Sequence, residues 1–196
     1  MLEENRLVKL TNFYSLNDII DLINNYPDAY VGIDAPLKVE NESGNREIEV
    51  EFLKDYAYKK LGVYPVNRNL LLKYSETIAG EVIASNVKQK LGEKLFEVYP
   101  HVTIMNCFHG SVLPYKRKKG RSVDFIRSQL LLLQKYLTNV IDGDFALDTE
   151  RLKGGKLKEY EDRLDALVCA YTMFHCQFNP HATYGGIFKV PYTVFE

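Results

Sequence analysis

Apolar positions along this chain follow two periods, and the switches between them mark its elements. Residues 30–37, Tyr30-Val31-Gly32-Ile33-Asp34-Ala35-Pro36-Leu37, are a short apolar run that ends in one carboxylate and is stopped by Pro36. A run this short, rich in β-branched and aromatic residues, reads as a buried strand with Asp34 at its carboxyl end. Leu95-Phe96-Glu97-Val98-Tyr99, closed by Pro100, repeats the pattern. Residues 6–10 and 186–195 also read as extended, the latter confined to a sheet edge because Pro191 cannot donate to a ladder. Elsewhere apolar residues recur at three and four. A helix is predicted from Ser15, its cap, to Asn25, and another over 47–61, with Ile48, Phe52, Tyr56 and Leu61 on one stripe and Gly62 as its stop. Further helices are predicted over 75–91, 101–107, 123–141 and 159–178. Residues 38–46, 63–74, 109–122 and 142–158 read as loops. Strands alternating with helices predict one α/β domain over 1–196, a partly parallel sheet covered by helices.

Composition adds little to that picture. A net charge of −1 gives the molecule no overall attraction to nucleic acid, so such a partner has to be held by a local patch. The three cysteines, Cys107, Cys169 and Cys176, are too few and too odd for a disulfide framework. No apolar stretch reaches membrane-spanning length, and the acidic start, Met-Leu-Glu-Glu-Asn, lacks a signal-peptide pattern. A cytoplasmic protein without a membrane partner is expected.

Three acidic sites are candidates for chemistry. Asp34 ends the first strand, where ligands of open α/β sheets bind, or else accepts turn hydrogen bonds before Pro36. Glu97 sits inside the second strand between apolar neighbours; it requires a partner if buried, and none if it lies on a wet face. Asp162 and Asp165 are three apart and share one face of the last helix, either to hold a cation or to favour the helix dipole in the first turns. Together these carboxylates form the oxygen-rich set that hard divalent cations take. The loop Lys116-Arg117-Lys118-Lys119, with Arg121, is the one dense cationic patch. It either tracks phosphates or serves as solvated surface. Cys107, His109, His175, Cys176 and His181 match no standard zinc spacing. Lys153-Gly154-Gly155-Lys156 lacks the Walker spacing and reads as a flexible entry to the last helix.

Ile33-Asp34-Ala35-Pro36-Leu37, Glu97-Val98-Tyr99-Pro100-His101 and the stretch from Asp162 to Tyr171 resemble, in that order, motifs of the family of domain of unknown function 429 (DUF429), held to be ribonuclease H-like nucleases. Arg46 with its following helix, and Arg127 with Leu130–Leu133, look like that family too. The resemblance covers about residues 15–190. It implies a ribonuclease H-like mixed sheet flanked by helices. It also implies catalytic Asp34, Glu97, Asp162 and Asp165, with Asp34, Glu97 and Asp165 as ligands of Mg2+ or Mn2+. Family members begin with a strand bearing Gly-x-Asp; nothing upstream of Val31 fits it, so the chain is expected to start at the family's later strands, with residues 186–195 as a substitute. The function expected is metal-dependent nuclease or phosphodiesterase activity. The alternatives are a catalytically silent domain that binds nucleic acid or protein, and a small-molecule phosphohydrolase.

Overall fold

The computed structural model describes residues 1–73 and 75–193. The chain opens with a small antiparallel ribbon, β1 (Leu2–Glu3) and β2 (Arg6–Leu7), so only two residues of the extended 6–10 segment are strand. Helix α1 (Leu16–Asn24) follows, with the Ser15 side chain accepting from the Asp18 backbone N–H as expected of an N-cap. Strand β3 (Val31–Ile33) stops before Asp34, where the chain bends toward Pro36. Helix α2 (Glu47–Tyr56) ends in a 3-10 turn, and Lys60 in the left-handed region (φ 58°) stops it in place of Gly62. After the single turn α3 (Arg68–Leu71) comes α4 (Ala79–Asn86), much shorter than the helix expected over 75–91. Its first turn is seated against the 35–37 backbone: a Cβ on Gly80 would lie 2.0 Å from the Pro36 carbonyl oxygen.

Strand β4 (Leu95–Val98) is buried along its length and leads into α5 (Pro100–Ile104), which passes into a π-turn ending at Gly110. Helix α6 (Val123–Thr138) precedes α7 (Gly154–Phe178). The last helix thus starts five residues before the expected boundary. Lys153 to Lys156 form its entry and first turn, and Asp162 and Asp165 lie beyond the reach of its N-terminal dipole. Strands β5 (His181–Tyr184) and β6 (Phe188–Pro191) complete the fold, β5 being unforeseen. Residues 194 and 195 of the extended segment lie outside the described residues.

The sheet order is β3-β4-β6-β5, with β3, β4 and β6 parallel and β5 antiparallel to β6. Strand β6 is therefore interior, contrary to the edge position expected from Pro191. The proline is tolerated because β4 pairs only with Phe188 and Lys189, so Pro191 lies past that ladder, opposite His181 of β5. Helices cover both faces. Cys169 and Met173 of α7 pack on Phe96 and Val98, and α6 lies on α7 through Leu130, Leu133, Leu137, Leu164 and Leu167. On the other face Phe52 and Tyr56 of α2 meet Phe188 and Val190, and Ile20, Ile23 and Ile83 of α1 and α4 meet Val31 and Ile33. This is a mixed α/β architecture, a mixed sheet flanked by helices. No helix among the described residues is long and apolar enough to cross a membrane.

Candidate active site

Two elements build the site: the end of β3 and the middle of α7. Gly32 lets them approach, since a Cβ there would lie 2.8 Å from Met173 Cγ and 2.9 Å from Val98 Cγ2. Asp34 and Asp165 consequently share a cleft of about 480 Å3 with Asp162, Lys116 and Lys158. One turn of α7 supplies a compact carboxylate group. Oxygens of Glu161, Asp162 and Asp165 lie within 4.8 Å of one another, and among the described residues this is the only acidic, histidine or cysteine group gathered closely enough to share a cation.

Lysines already balance part of this charge. Lys158 Nζ bridges Glu161 Oε1 at 2.8 Å and Asp162 Oδ1 at 2.6 Å. Asp165 is held at both oxygens by consecutive residues, the Tyr115 hydroxyl donating to Oδ1 at 2.6 Å and Lys116 Nζ lying 2.9 Å from Oδ2. Burial raises the Asp165 carboxyl, and Lys116 and Tyr115 pull it back only in part. Burial works against the Lys116 ammonium too, but Asp165, Asp34 and Glu161 outweigh it and raise its pKa. Asp34 differs from its neighbours. Its carboxylate has no hydrogen bond or ion pair among the described residues and stands exposed at the cleft mouth. The surrounding protein nevertheless strips enough water to push it up to about 6, with Asp165 and Asp162 adding repulsion that Lys116 and Lys158 offset. Four carboxylates thus face two ammonium groups, an excess of two negative charges when all are ionised.

Glu97 does not join this group. Its register opposite Ile33 puts it on the same sheet face as Ile33, whereas Asp34, one residue further, points to the α7 side. Both Glu97 oxygens are taken at 2.7 Å by the Arg46 guanidinium, and Oε1 also accepts the Leu37 backbone N–H at 2.7 Å. Arg46 in turn donates to Glu49 and to the Lys38 carbonyl. A second pair, Arg68–Glu81, holds the Val39 carbonyl and N–H. Two arginine–carboxylate pairs therefore clamp the backbone of residues 37–39, immediately after Asp34. Glu97 is the buried, partnered case of the two weighed from sequence, and its structural task is to hold this segment.

The basic loop divides by task. Lys116 enters the carboxylate cleft, and Arg121 folds back to donate to the Pro114 and Lys116 carbonyls. Arg117, Lys118 and Lys119 stand exposed. Beside them opens a cavity of about 570 Å3, with Lys60, Tyr64, Tyr99, His101, Lys116 and Arg117 in its walls. The histidines and cysteines considered for zinc form no group that could hold an ion among the described residues: His109 meets the Tyr136 hydroxyl, His175 that of Tyr171, and His181 the Lys189 ammonium. Tyr115 and Lys158 escaped the sequence reading, and Glu161, at the head of the third acidic stretch, was given no role. Glu161 carried a signal, standing one turn before Asp165, while the partners Tyr115 and Lys116 come from a loop some fifty residues away.

The fold and site define a mixed α/β protein with a partly lysine-neutralised carboxylate cleft at a strand end. The family profile described as Protein of unknown function (DUF429) matches residues 2–175, and the chain belongs to that family. No curated protein and no solved structure matches it.

Proposed function

We propose that this protein is a divalent-metal-dependent phosphodiester hydrolase of ribonuclease H-like fold that acts on nucleic acid. The observation that carries the reading is Asp34: a carboxylate at a strand end with no partner among the described residues, beside three helix-borne carboxylates that two lysines leave one negative charge short of neutral. The donor set fits Mg2+ or Mn2+, since it consists of carboxylate oxygens and its residual charge equals that of one such ion. Asp165, Asp162 and Glu161 would hold the ion, with Asp34 completing the cleft; Glu97 is engaged by Arg46. A bound divalent ion supplies Lewis-acid polarisation of a phosphoryl oxygen and neutralises developing charge. The chain's own residues supply the rest. Asp34, with its pKa pushed up to about 6, is largely ionised at pH 7.5 yet basic enough to take a proton from an attacking water. Lys116 lies between the carboxylates and the basic cavity, where it can meet a phosphate oxygen. The clamp on residues 37–39 fixes the Asp34 backbone.

A second reading has a specific observation behind it. Lys116 and Lys158 already occupy oxygens of all three helix carboxylates, which favours a protein that binds nucleic acid without cleaving it. One experiment separates the two. Labelled single- and double-stranded DNA and RNA are incubated with wild type, Asp34→Asn and Asp165→Asn, with Mg2+, Mn2+ or EDTA. The hydrolase reading expects metal-dependent cleavage that falls at least about a hundredfold in both variants. Cleavage that survives EDTA or the substitutions, or its absence from wild type with every metal and substrate, sinks it.

A further inference from the structure

We propose that the cavity beside the basic loop is a binding pocket for one unpaired nucleotide of a single-stranded nucleic acid, with Tyr64 as the stacking platform and Arg117 and Lys118 on the flanking phosphates. The role of the strand as a substrate rests on the hydrolase reading; the pocket itself is argued and tested without it.

Position comes first. Lys116 is in the walls of both the 570 Å3 cavity and the carboxylate cleft, and its ammonium is 2.9 Å from Asp165. Tyr99 joins the same cavity to the small cleft that Asp34 also lines. A chain whose base entered the cavity would therefore carry its backbone past Lys116 toward Asp34. Size agrees, since ligand pockets run at roughly 300–1,000 Å3.

Chemistry narrows the ligand. Lys60, Lys116, Arg117, Lys118 and Arg121 make the rim cationic, so the ligand is an anion. Tyr64 stands in the wall with 87% of its surface exposed, an aromatic face on which no ring of the described residues packs. His101 is fixed between the Tyr99 and Tyr115 rings, at centroid distances of 5.5 and 4.9 Å, and its buried Nδ1 has no hydrogen-bond partner among the described residues. Burial, together with the nearby Lys116 and Arg121 charges, pushes His101 down to about 4, so at neutral pH it is an uncharged imidazole. Cations, an open aromatic face and an unsatisfied neutral ring together suit a phosphate-bearing heteroaromatic base. A base within a duplex has its faces stacked and its edge paired, so only an unpaired base can use a concave aromatic site. Lys119 continues the exposed cations beyond the cavity, which suits several phosphates in line and favours a strand over a free mononucleotide.

The test is equilibrium binding in EDTA, so that no cleavage enters. Fluorescence anisotropy is read with labelled twelve-residue oligothymidine and oligouridine, a duplex of equal length, and thymidine monophosphate as competitor. At least one single strand should bind at least about tenfold more tightly than the duplex. Tyr64→Ala should weaken that binding at least about fivefold and Tyr64→Trp should restore it, as for stacking platforms generally. Tyr64 is surface-exposed, so an unchanged melting curve is expected for both variants. Replacing Arg117 and Lys118 together by alanine should flatten the salt dependence by about 0.7 for each phosphate no longer neutralised. Equal affinity for duplex, or indifference to Tyr64→Ala, overturns the proposal. So does competition by the mononucleotide at concentrations matching the strand's own affinity, which would make the cavity a mononucleotide site. The two readings fail separately: Tyr64-dependent strand binding without metal-dependent cleavage removes the hydrolase and keeps the pocket, while cleavage indifferent to Tyr64 does the reverse.

Discussion

Asp34 lies among carboxylates that are each paired with a lysine, and it is paired with none among the described residues. Its raised pKa means that folding favours the protonated carboxyl. Between the ordinary value near 3.8 and about 6 the folded state holds a proton that the unfolded state has released, so the Asp34 contribution to stability is complete below that window and is lost as pH rises through it. Asp34→Asn cannot ionise and should be the more stable protein above pH 6. Because the carboxylate is open to solvent, the gain is discounted to roughly 1 kcal/mol or less, or about 2–4 °C in a chain of this size. Melting curves of wild type and variant from pH 4 to 8 in EDTA should diverge across the window; parallel curves would show that Asp34 is an ordinary surface carboxylate. Sequence made this residue legible because strand end and Pro36 are local signals. The partners of Asp165 were not legible, because Tyr115 and Lys116 are brought to it by tertiary packing of a loop whose composition says only that it is basic.

At the scale of elements, the segment after β3 is held by charge pairs and by one close approach. Arg46, Glu49 and Glu97 are all buried, and among the described residues the arginine is the only cation paired with either carboxylate. Arg46→Ala would leave both acids unpaired in the core, a change that costs about 3–5 kcal/mol. Urea unfolding should show that loss, and Glu97→Gln in the Arg46→Ala background should recover part of it, since the neutral amide no longer needs a counter-charge. An Arg46→Ala protein as stable as wild type would mean the pair closes the structure without stabilising it. Gly80→Ala tests the packing against Pro36: its Cβ would meet backbone at 2.0 Å, so the 35–37 segment or α4 has to move. A loss of about 1–3 kcal/mol is expected, as for overpacked sites. The carboxyl end of β3 should shift with it, readable in the NMR signals of Asp34. The α4 helix was overextended from sequence because Ser75 and Glu76 look like a helix start, whereas packing on Pro36 places the first turn at Ala79. Glu97 was grouped with Asp34 because both are carboxylates borne by strands read one at a time. Which face each occupies depends on the register of β3 with β4, and that no single strand encodes.

The whole molecule is nearly neutral, so the charge that matters is distributed locally: a carboxylate cleft with an excess of two negative charges joined through Lys116 to a cationic cavity. The coarse architecture was legible, since periodicity separates strands from helices wherever one face is buried. Two antiparallel pairings, β1 with β2 and β5 with β6, were not, because a two-residue ribbon carries no period and His181–Tyr184 lacks the continuous apolar run that marks β3 and β4. The junction at Lys116 gives the final prediction. Lys116 holds the place beside Asp165 that a divalent ion would take on the hydrolase reading, so the two cations would compete. Lys116→Met keeps the length and the apolar stem while removing the ammonium. Without metal it should lower the melting temperature, because it leaves Asp165 buried with only the Tyr115 hydroxyl. Added Mg2+ should then raise the melting temperature of the variant more than that of wild type, since a ligand that binds only the folded state stabilises it by mass action and the variant no longer has to release a competitor. At a hundred times the dissociation constant that gain is about 2.7 kcal/mol. Asp165→Asn should remove both effects: it needs no ammonium, and it withdraws a ligand. Melting curves of the three proteins with 0 and about 10 mM Mg2+ decide the matter. A magnesium shift that is equal in wild type and Lys116→Met would place the ion away from Asp165. The absence of any shift in all three would leave the lysines as the cleft's permanent counter-ions and favour the binding protein over the hydrolase.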